Sequence, residues 1–345
     1  MLKGLFKRKT HVEYEETERS LFKPILIALG LVALILTAVG IYWDLEPDLF
    51  DVREAAIKRS GGDPSKLVTG YVTANTLIEV ASTLLEKPGG YLTNDVTPPA
   101  VVMDNIPNWE FGVLVQVRDL ARVLRNDMSR SQTQSVEDRD LSIADPRFHF
   151  DSESWIFPST ESLYRDGIEH LTSYLNRLHD PKQQDAQFYA RADNLREWLA
   201  MVGKRLGSLS QRLSASVGQA RVNVDLGGET AGAHSTERPD NIEVKTPWLE
   251  IDDVFYETRG TTWALVHFLR AAEIDFESVL RKKNALVSFR QIIRELEATQ
   301  QTLWSPMVLN GMEFGFVANH SLVMASYISR ANTAVNDLVQ LLQQG

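Results

Sequence analysis

The sequence predicts a mainly α protein: one N-terminal transmembrane helix, then an elongated multi-helix bundle with a small two-stranded β-ribbon. Three observations carry this. Ile25 to Trp43 reads ILIALGLVALILTAVGIYW, 19 residues without a charge. At least five later segments space their apolar residues alternately by three and four. Hydrophobic residues make up 43% of the chain and charged residues 24%, values of a packed protein rather than a disordered one.

As a helix the apolar run spans about 28 Å, close to the thickness of a hydrocarbon core. Its eleven Ile, Leu and Val residues favour insertion by about 3 to 7 kcal/mol. Tyr42 and Trp43 stand at its exit, where amphipathic rings prefer headgroups. Pro24 falls in its first turn, where a missing N–H costs little. A cleaved signal peptide would need a short apolar region and a small-x-small site. Ala38-Val39-Gly40 matches faintly, but the run continues through Ile41. Gly30, Ala33, Thr37 and Gly40 share one face and form a candidate packing stripe for a second copy or another membrane protein.

Charge sets the expected orientation. Six Lys/Arg precede the run, whereas the residues just after Trp43 are led by Asp44, Glu46, Asp48 and Asp51. The division is therefore a cytoplasmic tail over 1–23, a transmembrane helix over 24–43, and a periplasmic helical domain over 44–345. Residues 1–46 hold six basic and six acidic residues, so the whole net charge of -10 lies in the large domain. Such a surface repels phosphate backbones and argues against nucleic acid. The chain has no cysteine, which excludes disulfides, thiolate metal sites and cysteine nucleophiles.

Within the domain the longest apolar seam is Phe188, Ala192, Leu195, Leu199, Val202, Leu206, Leu209, Leu213, ending near Gly218. Others run Met324 to Leu342, Tyr164 to Leu178, and Leu114 to Met128. A fifth runs from Leu286 to Leu303, with polar Gln300 at a seam position. Seams in so many helices mean helix packed on helix. Shorter helices are expected at 48–59, 72–87 and 250–273. The second stops at Lys87-Pro88-Gly89-Gly90, and Ser159 or Thr160 caps the helix after Pro158. Residues 88–110, 131–158 and 219–249 read as irregular. The last is a flexible loop whose flanks, Val222/Val224/Leu226 and Ile242/Val244, alternate as ribbon strands do.

Few residues suggest chemistry. Tyr256, Arg259, Trp263, His267 and Arg270 form a second stripe about 120° from the core face of one helix. Aromatics edged by cations can stack a ligand or hold a partner; the same stripe can equally pack on another helix, with Arg and His at its rim. His149, Asp151 and Glu153 would share one side of an extended segment and could chelate a metal, although an ordinary polar loop has the same composition. Glu79 and Glu86, seven apart on one helix, read as solvated carboxylates. His320 reads as a structural histidine at a helix start. There is no G-x-S-x-G and no G-x-x-x-x-G-K, and no motif calls for a metal or cofactor.

The runs GYVTANTLIEVASTLLEKPGGYLTND at 70–95 and WLEIDDVFYETRGTTWALVHFLRA at 248–271 resemble an uncharacterised bacterial family. Its members look like single-span inner-membrane proteins of about this length. The resemblance covers nearly the whole chain and implies location and topology. It implies no activity and no functional residues.

The expectation is a non-enzymatic, membrane-anchored envelope protein that binds or scaffolds another envelope component, or pairs with itself. Alternatives are a periplasmic ligand sensor acting through a partner, and an envelope hydrolase with an unrecognised site.

Overall fold

Seam spacing demands helices, and helices are what form. A computed structural model of the protein describes residues 10–131, 136–183, 185–222, 241–302, 308 and 320–344. Leu303, the Val224, Leu226 and Gly227-Gly228 portion of the predicted loop, and the first nine residues lie outside the described residues.

Helix α1 (Thr10–Trp43) begins well upstream of the apolar run, so Pro24 lies inside the helix, not in its first turn. The ring removes one backbone bond, and the residues on either side carry the helix through. Its stretch Phe22–Trp43, 22 residues, is long and apolar enough to cross a membrane, and it meets the rest of the chain near its C-terminal end, at Gly40 and Trp43.

Helix α2 (Val52–Arg59) starts at Asp51, whose carboxylate accepts the Arg53 and Glu54 N–H groups at 2.9 and 2.8 Å. Helix α3 (Tyr71–Glu86) begins after Gly70, which has no side chain to cap it. Asp275 does so from across the fold, accepting Gly70 N–H, Thr73 N–H and the Thr73 hydroxyl at 2.7–2.8 Å. Burial pushes that carboxyl up to about 6, against the pull of the three donors.

Helix α4 (Asn105–Val123) runs into a π turn, Leu124–Met128. Helix α5 (Leu141–Phe148) occupies part of 131–158, which the sequence reads as irregular. Pro146 inside it and the charged run before it hide its apolar face. Helix α6 (Thr160–His179) is capped by Ser159. Helix α7 (Ala192–Ser214) is followed by α8 (Ile251–Asp275), α9 (Glu277–Lys282), α10 (Leu286–Glu297) and α11 (His320–Gln343). The ribbon is present: β1 (Gln219–Val222) pairs antiparallel with β2 (Asn241–Val244), Gln219 opposite Val244.

The bundle gathers around α8. This helix is buried on almost every side, against α3, α4 and α10. Helices α4 and α8 meet backbone to backbone. A Cβ at Gly260 would land on the Trp109 carbonyl, and one at Gly112 on that of Glu257. Helix α7 pairs along its seam with α11; Leu199, Leu206, Ile328, Val335 and Leu338 are fully buried.

Candidate functional site: the strap between the apolar helix and the domain

The stripe Tyr256, Arg259, Trp263, His267 is one continuous surface of α8, as helical spacing requires, but it is not free. All four side chains are buried. What covers them is the chain's own strap, residues 44–51, which leads from α1 to α2. Of the two uses open to such a stripe, a partner or ligand surface and packing within the fold, these four residues are packed within the fold. The strap has no apolar periodicity, and only its position in the sequence could have pointed to it.

The contacts are specific. Glu46 takes the Arg259 guanidinium in a fork, with Nε at 2.7 and 3.0 Å and Nη2 at 2.6 Å. Arg259 Nη1 donates to the Thr299 and Gln301 carbonyls at 2.8 and 3.1 Å, tying in the turn after α10. Gln300, the polar residue in the fifth seam, donates to the Thr262 hydroxyl at 2.7 Å. The Phe50 ring stacks on His267 with centroids 4.0 Å apart, and its N–H donates to His267 Nε2 at 3.0 Å. His267 Nδ1 then donates to the Trp263 carbonyl at 2.7 Å, which fixes the tautomer. Trp263 packs on Trp109 at 5.2 Å.

Electrostatics follow from this burial. Desolvation, with a smaller push from Arg270, lowers His267 to about 4. Tyr256 is pushed up to about 12 by burial and by the charges of Glu46 and Asp44. Asp44 rises to about 6 through burial and its acidic neighbours Glu46 and Asp104. Both nitrogens of His267 are engaged and the ring is neutral, so it is poised to hold the strap rather than to shuttle protons. Arg270, the fifth member, lies outside the strap and pairs with Glu297 at 2.8 Å on the surface.

A second brace was not legible as such. Lys87, at the proline–glycine stop, reaches Glu110 on α4 at 2.6 Å with both side chains fully buried. Glu110 also accepts Leu92 N–H, Thr93 N–H and the Thr93 hydroxyl, and Lys87 donates to the Gly90 carbonyl at 2.7 Å. Burial pushes the Glu110 carboxyl up, against the pull of Lys87 and the Thr93 and Leu92 donors. Its signal was there: Glu110 interrupts the apolar series Ile106, Trp109, Val113, Val117 on the core face. The ring of Trp43 presses on Gly89, whose φ is +84°. The last residue of α1 is thus seated on the same turn.

The remaining candidates scatter. Of the stripe on α1, Gly30, Ala33 and Thr37 are exposed, while Gly40 meets the domain; a Cβ there would lie 3.5 Å from Pro99. The Thr37 hydroxyl donates to its own helix, to the Ala33 carbonyl at 2.9 Å. His149 ends α5 and bonds to Arg122 and to the Asp145 carbonyl, so it is not aligned with Asp151 and Glu153. Glu79 pairs with Arg59 at 2.8 Å, apart from exposed Glu86. His320 meets the Phe255 ring edge-on. No group of three or more His, Asp or Glu that could hold a metal occurs among the described residues.

A profile of the family described as uncharacterised protein conserved in bacteria (DUF2333) matches residues 16–345. No curated protein and no solved structure matches the chain.

Proposed function

The chain belongs to this bacterial family, and we propose that it is a single-span inner-membrane protein holding a helical domain at the periplasmic face to bind or scaffold another envelope component. One observation carries the reading: the strap after the apolar helix is built into the domain through Arg259–Glu46 and His267–Phe50. A domain tethered merely for retention can hang on a flexible linker. A buried, hydrogen-bonded junction instead suits a protein whose task is to present a surface at a set height and orientation. Six Lys/Arg before the span, against only Arg53 and Lys58 in the 15 residues after Trp43, support a cytoplasmic N-terminus.

The test is an alkaline phosphatase fusion at Gly345, read in cells and then captured in mild detergent. The expected outcome is active phosphatase and stoichiometric co-purification of an envelope protein. Inactive phosphatase would overturn the orientation. A monodisperse chain that captures only a small molecule, or nothing, would overturn the scaffold.

A further inference from the structure

Beyond the span, the large apolar side chains that are more than half exposed are unevenly placed. Among the described residues, Val136 and Val287 apart, they fall at Leu45 and in three loops. The first loop is 96–103, where Val102 is 78% exposed. The second is Trp155-Ile156-Phe157, with Phe157 at 99%. The third is Trp248-Leu249, the turn opening α8, with Trp248 at 70%.

The fold brings all three to the end of the domain where α1 leaves it. Loop 96–103 lies against α1, and Pro99 faces Gly40, about 4.5 Å short of the helix end. A shallow groove between them is lined by Ala33, Thr37 and Gly40 on the helix and by Pro99, Val102 and Met103 on the loop. The second loop is tied beside it, with Asn94 Nδ2 donating to the Ser154 carbonyl at 2.9 Å and the Tyr91 hydroxyl to that of Ser152 at 3.1 Å. The third is held through Asp253, which accepts from Asn108 in the first turn of α4 at 2.8 Å.

We propose that these three loops form a lipid-docking face that sinks into the outer-leaflet interface around the span and seats the domain on the bilayer. This rests on Phe22–Trp43 being a membrane span. The chemistry of the first loop suits the interface. VTPPAVVM, residues 96–103, carries no charge, and Asp95 and Asp104 mark its limits. A backbone entering lipid must satisfy its own N–H groups. Pro98 and Pro99 have none, and Val101, Val102 and Met103 donate to Thr97, Pro99 and Ala100 carbonyls at 2.9–3.2 Å. Trp155 and Trp248 are of the residue type that concentrates at the headgroup level, and Phe157 adds apolar area beside Trp155. A patch of this kind left in water would be a liability. Its contact with the span is what selects lipid as the occupant.

The absence of cysteine permits single labels. Val102→Cys, Phe157→Cys and Leu249→Cys in the full chain carry an environment-sensitive fluorophore in phosphatidylcholine nanodiscs. Val287→Cys, 80% exposed on α10, is the aqueous control, and Leu34→Cys marks the span. With nitroxide lipids labelled near the headgroup, the three loop labels should be quenched at least threefold more than Val287→Cys. Leu34→Cys should be quenched most by labels deep in the acyl chain. Loop labels no more quenched than the control, with Leu34→Cys still quenched, would overturn the docking face and leave the span intact. Loop labels shifted to the blue but unquenched by lipid would mean a second copy of the chain covers them, which also overturns it. An unquenched Leu34→Cys would overturn the span reading itself.

Discussion

At the scale of single residues, the side chains that matter most are buried polar groups joining distant segments. His267 gives the sharpest expectation. Its folded value of about 4 lies below the unfolded 6.5, so the unfolded chain binds the extra proton between those limits. The stability it contributes is full above about pH 7 and is lost as pH falls from 6.5 toward 4. Asp44, Asp253 and Asp275, each raised to about 6, act in the opposite sense. They favour the folded state below the ordinary carboxylate range and lose that contribution as pH rises through 6. The His267 effect is therefore best read as a difference. Between pH 7 and 5, denaturation of the wild type should lose about 2 kcal/mol more stability than His267→Gln loses. Equal losses in both would show that the ring is not desolvated. Helical spacing made the grouping of Tyr256, Arg259, Trp263 and His267 legible. It could not show what covers them, because Glu46 and Phe50 are more than 200 residues away in sequence.

At the scale of elements, apolar periodicity located the helices whose faces are one-sided, such as α6, α7 and α11. It was least informative where that premise fails. Helix α8 is buried nearly all round, so dividing it into a core face and a second stripe described its chemistry but left open whether the stripe is covered. Helix α5 was hidden by Pro146, and Lys87–Glu110 by the irregular reading of residues 88–110, which took Glu110 out of any helix face. The contact of α4 with α8 depends on Gly112 and Gly260, whose missing side chains let two backbones touch. Gly260→Ala should therefore cost about 3 kcal/mol or more, because the obstacle is a carbonyl that cannot rotate away. Leu206→Ala on α7 should cost about 2–5 kcal/mol through its cavity. Denaturant titration of both variants checks this. A Gly260→Ala cost below about 0.5 kcal/mol would mean that the two helices do not meet so closely.

At the scale of the whole molecule, the strap, the Lys87–Glu110 brace and the seat of Trp43 on Gly89 all act at one place, the junction of α1 with the bundle. The strap and the seat of Trp43 join α1 to the bundle, and the brace holds the turn on which Trp43 sits, so the apolar helix and the domain are expected to keep a single relative orientation. Removing one member of a mostly buried ion pair such as Glu46–Arg259 typically costs about 3–5 kcal/mol, since the other charge is left stranded. The most direct measurement is the distance distribution between spin labels at Leu29→Cys on α1 and Val287→Cys on α10, taken by pulsed electron resonance in nanodiscs. A fixed junction gives one narrow distribution in the otherwise unaltered chain and a visibly broadened one when Glu46→Ala is added. A broad distribution before that substitution would contradict the account, because the domain would then swing on a free tether.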